Sequence, residues 1–303
     1  MFMESFRRIF NREQIEREKV VGEVSGILPD LFGISLALPH ITFATEKEIK
    51  EMHIRDGVLV GHNSSYVRSR NEIIIRKDSR VQDKKIELYR ALAAELAHIY
   101  HKGLGDNTET LNFDFGWAVY TEFRRQGNYG ELVLPQAMVE NMCIPYAKRE
   151  VSDGYCQTYV LRKLGRFKET DKVAEEHGKW HKIVALDMER INELELKAGD
   201  YNKVRELFAR MIIECESAKM PLSEHPSFII IKQYFNLGNS IGYWFSEVYI
   251  HRLGENVEEF RKFVRIPILP TTSEDIELFE QSLGGLNQHL RSKNLPTIAY
   301  GKK

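Results

Sequence analysis

Three short runs of β-branched and aromatic residues interrupt a chain that otherwise reads with helical spacing, and they limit what it can fold into. Ile41-Thr-Phe43, Val58-Leu-Val60 and Ile73-Ile-Ile75 are separated by turn residues, among them Asp56-Gly57 and His62-Asn-Ser-Ser65, as strands are. Ahead of them, Phe6, Ile9, Phe10, Ile15, Val20 and Val21 predict a helix over Glu4 to Val24, with Pro29 shortly beyond its end. Thr45 and Glu48 predict a capping box that opens a helix between the first two strands. Ser79 and Gln82 predict a second box, opening a helix that runs to about His101. From Gly116 onward the pattern is helical almost throughout, with breaks at Pro135, Pro145, Gly154, Gly199-Asp200, Pro221, Pro226 and Pro267 to Pro270. The expected fold is α+β: a small mixed sheet next to one helix, followed by a large all-helical part. Gly154 marks the expected division, residues 1–153 carrying the sheet and 154–303 a helical region packed on it, as two domains or one continuous body.

Composition excludes several classes of function. Forty-three basic residues stand against 44 acidic ones in 303, a net charge of −1, which gives no electrostatic case for nucleic acid or an anionic membrane. No apolar run is long enough to span a bilayer, and Met1 to Glu18 is too rich in Arg and Glu for a secretory signal. Cys143, Cys156 and Cys215 form no C-x-x-C pair and are odd in number, against both a disulfide framework and a cysteine zinc site. A reducing cytoplasm is the expected location.

The segment that carries chemistry is Leu92-Ala-Ala-Glu-Leu-Ala-His-Ile-Tyr-His101. On a helix, positions four apart share a face, so H-E-x-x-H sets two imidazoles side by side on one zinc ion, with the glutamate as base for the metal-bound water. Here the five residues read Ala94-Glu95-Leu96-Ala97-His98. The base Glu95 and the second ligand His98 are present, and the first ligand position holds Ala94.

With its surroundings, this segment resembles the gluzincin-type zinc metallopeptidases in four pieces over residues 41 to 265. Tyr66 and Asn71-Glu-Ile-Ile-Ile75 resemble the edge strand that precedes the zinc helix and binds substrate by strand addition. Phe115-Gly-Trp-Ala-Val-Tyr120, with Glu122, resembles the E-G-x-A-x-Y segment that supplies the third ligand, but Phe115 stands where the family places glutamate. Tyr234-Phe-Asn-Leu-Gly238, followed by Tyr243, Val248-Tyr-Ile250 and Gly254, resembles the helical segment behind the active site, and implies Tyr234 as a donor to the oxyanion. A second resemblance, to a phage-repressor-cleaving metalloprotease family, adds Leu132-Val-Leu-Pro135 to the same motif helix.

The resemblance implies a pseudoenzyme. Catalytic zinc needs three protein ligands and an open position. With Ala94 and Phe115 at two of them, only His98 is left, so no cofactor is expected and the retained cleft would bind a peptide or protein partner. The competing reading is an active zinc enzyme with replaced ligands, or one whose first His was lost by engineering. Engineering would account for Ala94 and not for Phe115. A third reading is a helical scaffold unrelated to zincins, in which Glu95 and His98 are a solvated pair. His101 and Asp114 read as surface residues, and His177 with His181 as part of a solvated helix face. Trp117, Tyr120, Tyr234, Phe235, Tyr243, Trp244 and Phe245 read as core.

Overall fold

The computed structural model describes residues 2–34, 38–56, 64–67, 70–77, 85–101, 131–177, 179–193, 210–211, 213–215, 217–220, 225, 228–266 and 268–301, with backbone alone at 2–13, 53–56, 174, 176–177, 191–193 and 228–235. Helix α1 (Phe2–Phe32) buries Val20, Val24, Leu28 and Leu31, a stripe at spacings of four and three that follows the helical repeat. Pro29, expected beyond its end, lies inside its last turn. The helix stops at Gly33, whose φ of 66° suits a residue without a Cβ. Arg261 donates from Nε to the Leu31 carbonyl at 2.9 Å and from its Nη2 to that of Asp30. A cation thus covers the negative end of the helix dipole.

Strand β1 (His40–Ala44), helix α2 (Glu46–Asp56), β2 (Ser64–Val67) and β3 (Glu72–Arg76) follow. The Thr45–Glu48 box caps α2 as expected: the Thr45 N–H donates to Glu48 at 2.6 Å and the Glu48 N–H donates to the Thr45 hydroxyl at 3.3 Å. The sheet order is β1-β3-β2, β3 running parallel to β1 and antiparallel to β2. Residues 71–76 were expected at an edge, but β3 is the middle strand. The reason is in its sequence. Ile73 and Ile75 pack with α1 and the motif helix, while Ile74 packs with Ala44 and Ile49 of the β1–α2 layer. A strand covered on both faces carries an unbroken apolar run, and here α1 and the motif helix cover one face and the β1–α2 layer the other. The Val58–Val60 run lies outside the described residues.

The motif helix, α3 (Lys85–Tyr100), packs on β2 and on α1. After residue 130 come β4 (Glu131–Pro135), one helical turn (Gln136–Met138), a π-turn (Val139–Cys143) and α4 (Ile144–Lys163). Then follow α5 (Phe167–His177), α6 (Trp180–Glu193), α7 (Phe228–Leu253), α8 (Val257–Arg265), α9 (Ser273–Ser292) and β5 (Thr297–Gly301). The part expected to be all-helical therefore holds a second sheet, in which β4 and β5 pair in parallel. Pro145, expected to break a helix, sits at the start of α4 directly after the π-turn, in a run that stays helical from Gln136 to Lys163.

Two apolar cores lie on either end of α4. Tyr155, Cys156, Val160 and Leu161 join α1, α3, β3 and α8, while Ile144, Ala147 and Val151 join β4, β5, α6, α7 and α9. Gly154, the expected division, lies buried inside α4, which runs unbroken through it. The architecture is α+β, two small sheets in a mostly helical body. No helix among the described residues is long and apolar enough to cross a membrane.

Candidate functional site

The site lies where α3 crosses α4, and its side chains come from the repeat of both helices. Glu95 and His98 on α3, and His101 just past its end, are spaced three apart, and Arg149 and Asp153 stand one turn apart on α4. Glu95 is 7% exposed and Asp153 is 8% exposed, so the solvated-pair reading of Glu95 and His98 does not hold. The helix turns these polar groups toward a neighbour instead of water.

Contacts within the cluster form a line. The Ser64 hydroxyl, at the start of β2, donates to Glu95 Oε1 at 2.7 Å. The other Glu95 oxygen lies 3.7 Å from His98 Nδ1, and His98 Nε2 lies 3.1 Å from Asp153 Oδ2. Arg149 Nε stands 3.4 Å from the same ring nitrogen. One nitrogen cannot both donate to Asp153 and accept from Arg149, and the shorter contact makes Nε2–H the donor to Asp153. Burial pushes the His98 imidazolium down and Arg149 opposes it too, but the carboxylates of Asp153 and Glu95 carry its pKa above the usual value.

His101 was expected at the surface, yet it is 2% exposed. Its Nε2–H donates to the Ile266 carbonyl at 3.4 Å, so Nδ1 accepts from the Ser152 hydroxyl at 2.6 Å. Burial pushes this imidazole down to about 4, which keeps it neutral. The turn before Asp153 carries Lys148, buried and ion-paired with Asp275, to which the Tyr249 hydroxyl also donates. Asp275 is at the same time the third helical residue of α9's capping box with Thr272. Burial would raise that carboxyl, but Lys148, Tyr249 and the Thr272 N–H together hold it below the carboxylate range.

Beyond Arg149 the cluster meets aromatic rings. Trp180 stacks on Tyr243 with centroids 4.3 Å apart, and Tyr146 meets Tyr243 edge-on at 5.5 Å. Gly242 makes room for that ring: a Cβ there would lie 2.1 Å from Tyr146 Cδ1. Glu150, beside these rings, is pushed up to about 7 by burial, with Arg149 opposing and Asp153 adding.

The expected site residues separate as follows. Ala94 shares the α3 face of His98, four residues away, and is partly buried. Phe115, with Asp114, Trp117, Tyr120 and Glu122, lies outside the described residues. Tyr234 lies on α7, and neither its side chain nor that of Phe235 or His177 is described. His181 meets the His289 ring edge-on at 5.0 Å, so part of the face expected to be solvated is packed against α9. Trp244 and Phe245 are core as expected.

Among the described residues no three His, Cys, Asp or Glu side chains gather as a metal-holding group. The donors do not fit a catalytic zinc: His98 would ligate through an imidazole whose two nitrogens face carboxylates, and a guanidinium stands beside Nε2. Arg149, Glu150, Asp153 and Ser64 escaped the sequence reading. The signal for three of them was Arg149-Glu150 and Asp153 embedded in a helix otherwise carrying Tyr146, Ala147, Val151, Tyr155 and Cys156, since charges inside an apolar stripe need partners. Compared with protein-family models, curated proteins and solved structures, the chain matches none.

Proposed function

We propose that the chain is a metallopeptidase-like protein in which an internal ionic cluster stands where the family holds catalytic zinc, and that it does not hydrolyse peptides. The observation that carries this reading is the Asp153–His98–Glu95 line with Arg149 beside it. A permanent guanidinium 3.4 Å from the nitrogen that would ligate repels a dication, and that same nitrogen is already engaged by Asp153 at 3.1 Å. Without a metal, the water that Glu95 would activate keeps a pKa near that of bulk water, so the base has no proton within reach.

Binding of a peptide or protein partner belongs to the same proposal, with one correction. Strand addition at residues 71–76 is excluded, because β3 has its hydrogen-bonding groups engaged by β1 and β2 on both sides.

The test is the zinc content of protein purified without chelator and without a histidine tag, together with peptidase assays on wild type and Glu95→Gln. Zinc far below one equivalent, and no chelator-sensitive activity, is the expected result. Near-equimolar zinc that survives dialysis and is lost in both His98→Ala and Asp153→Asn would overturn it. That outcome would favour an active enzyme with Asp153 as a replacement ligand.

A further inference from the structure

Two histidines outside the α3–α4 cluster meet across the contact between α6 and α9. His181 stands at the start of α6, directly after Trp180, which stacks on Tyr243 with centroids 4.3 Å apart. His289 lies in the last turn of α9, beside the buried Leu290. Two residues earlier the Asn287 side chain accepts from the Ile298 N–H and donates to the Ile298 carbonyl, both at 2.7 Å, which fastens this end of α9 to β5. Both backbones are thus held, and the two rings stand 5.0 Å apart between centroids at an angle of 89°. Each histidine is half-buried, so the pair is anchored and still reached from solvent.

That separation suits two ligands of one ion. A metal–nitrogen bond is about 2.0–2.1 Å and the ring centre lies about 1.1 Å beyond the nitrogen, so imidazoles on neighbouring corners of one ion have centroids roughly 4.5–5.2 Å apart. Histidine χ2 is a soft torsion, so either ring can turn a nitrogen to a shared point while its helix stays in place. The lone pairs are available too. His98, His101 and His225 each engage a ring nitrogen with a polar partner, whereas His181 and His289 have no hydrogen-bond partner among the described residues and meet each other. Burial first, then His289 and Lys182, lower the His181 pKa, which favours the neutral ring, the form that binds metal.

We propose that His181 and His289 form a two-imidazole site for a late first-row dication, of the class of copper(II), nickel(II) and zinc(II). Imidazole suits these ions, with copper(II) bound most tightly, while magnesium and calcium call for oxygen ligands that the pair does not offer. Two protein ligands are fewer than the three of a catalytic zinc, so the remaining positions stay with water and the ion exchanges readily. The ion joins α6 to α9 in the folded chain alone, so the loaded protein should melt at a higher temperature. The site uses no residue of the α3–α4 cluster and holds whether or not that cluster binds zinc.

The experiment is calorimetric titration of the full chain, purified without a histidine tag, with copper(II), zinc and magnesium chlorides at neutral pH. The first equivalent of copper should bind most tightly, zinc more weakly, and magnesium not at all. His181→Ala and His289→Ala should each weaken binding of that first equivalent about tenfold or more, while His98→Ala should leave it unchanged. In the wild type, the electron paramagnetic resonance spectrum of the first copper should be split by two nitrogens. Copper binding that survives both variants, that is lost in only one of them, or that disappears in His98→Ala overturns the proposal. The wild-type spectrum decides even if a variant fails to fold, since splitting by one nitrogen or none overturns the proposal as well.

Discussion

His98 holds the site together because it contacts both carboxylates, Asp153 through Nε2 and Glu95 through Nδ1. Asp153 lies closer to it than Glu95 does, at 3.1 Å against 3.7 Å. Removing the Asp153 charge should therefore let burial and Arg149 dominate. In Asp153→Asn the His98 imidazole is expected to titrate below its ordinary value, whereas in the native chain it titrates above it. NMR titration of the imidazole resonances checks this, and an unshifted His98 would mean that Asp153 is not its counter-ion. Gly242 is the second decisive residue. A methyl group there would meet the Tyr146 ring at 2.1 Å, and that ring is wedged against Tyr243 and cannot simply swing away. Gly242→Ala should destabilise by roughly 1–3 kcal/mol or more, read from chemical denaturation, although alanine is the better helix former. A variant as stable as wild type would show that the ring has other room.

At the scale of elements, the ends of helices do much of the joining. Arg261 ties α8 to the last turn of α1, and the Lys148–Asp275 pair ties α4 to the first turn of α9. Helix α8 is short and amphipathic, burying Phe260 and Val264 alone of its nine residues, so its cap matters more than in a long helix. The Asn256 side chain accepts from the N–H groups of Glu258 at 3.1 Å and Glu259 at 3.2 Å. Asn256→Ala should cost about 1 kcal/mol, the usual worth of an N-cap, while Asn256→Asp should retain most of it. Denaturant midpoints compared at equal m-value decide this. Equal loss in both variants would assign Asn256 a role other than capping.

For the whole molecule, stability against pH is set by buried groups that pull in opposite directions. Glu150 and Glu247, both raised to about 7, bind a proton more tightly folded than unfolded. The stability they contribute is complete below the unfolded value near 4.5 and is lost as pH rises through 7. His98, also raised, acts in the same sense from its ordinary value upward. His101, lowered to about 4, acts oppositely: its contribution is present above 6.5 and is lost as pH falls through 4. Glu247 is the simplest to isolate, since burial is the cause of its shift. Glu247→Gln should melt close to wild type at pH 4.5 and above it at pH 8. A constant difference between the two across that range would mean that Glu247 titrates normally.

What the sequence determined by itself is local. The Thr45–Glu48 box, the strands at Ile41–Phe43 and Ile73–Ile75, and the motif helix could be read because capping and short-range periodicity are properties of a few adjacent residues. The pair Glu95 and His98 was legible for the same reason, since three residues along a helix is a fixed distance. The tertiary structure decided who stands opposite. Nothing within reach of His98 in sequence announces Asp153 or Arg149, which arrive from α4 more than fifty residues later, at |i−j| of 55 and 51. β4 and β5 were missed because each pairs with the other from more than 160 residues away. The apolar run Ile73–Ile75 suits a central strand, but which strands flank residues 71–76 depends on β1 and β2. Chain order fixes which side chains share a face of a helix or strand. Only packing fixes what that face meets, and the pKa, the counter-ion and the chemistry of Glu95 and His98 follow from that.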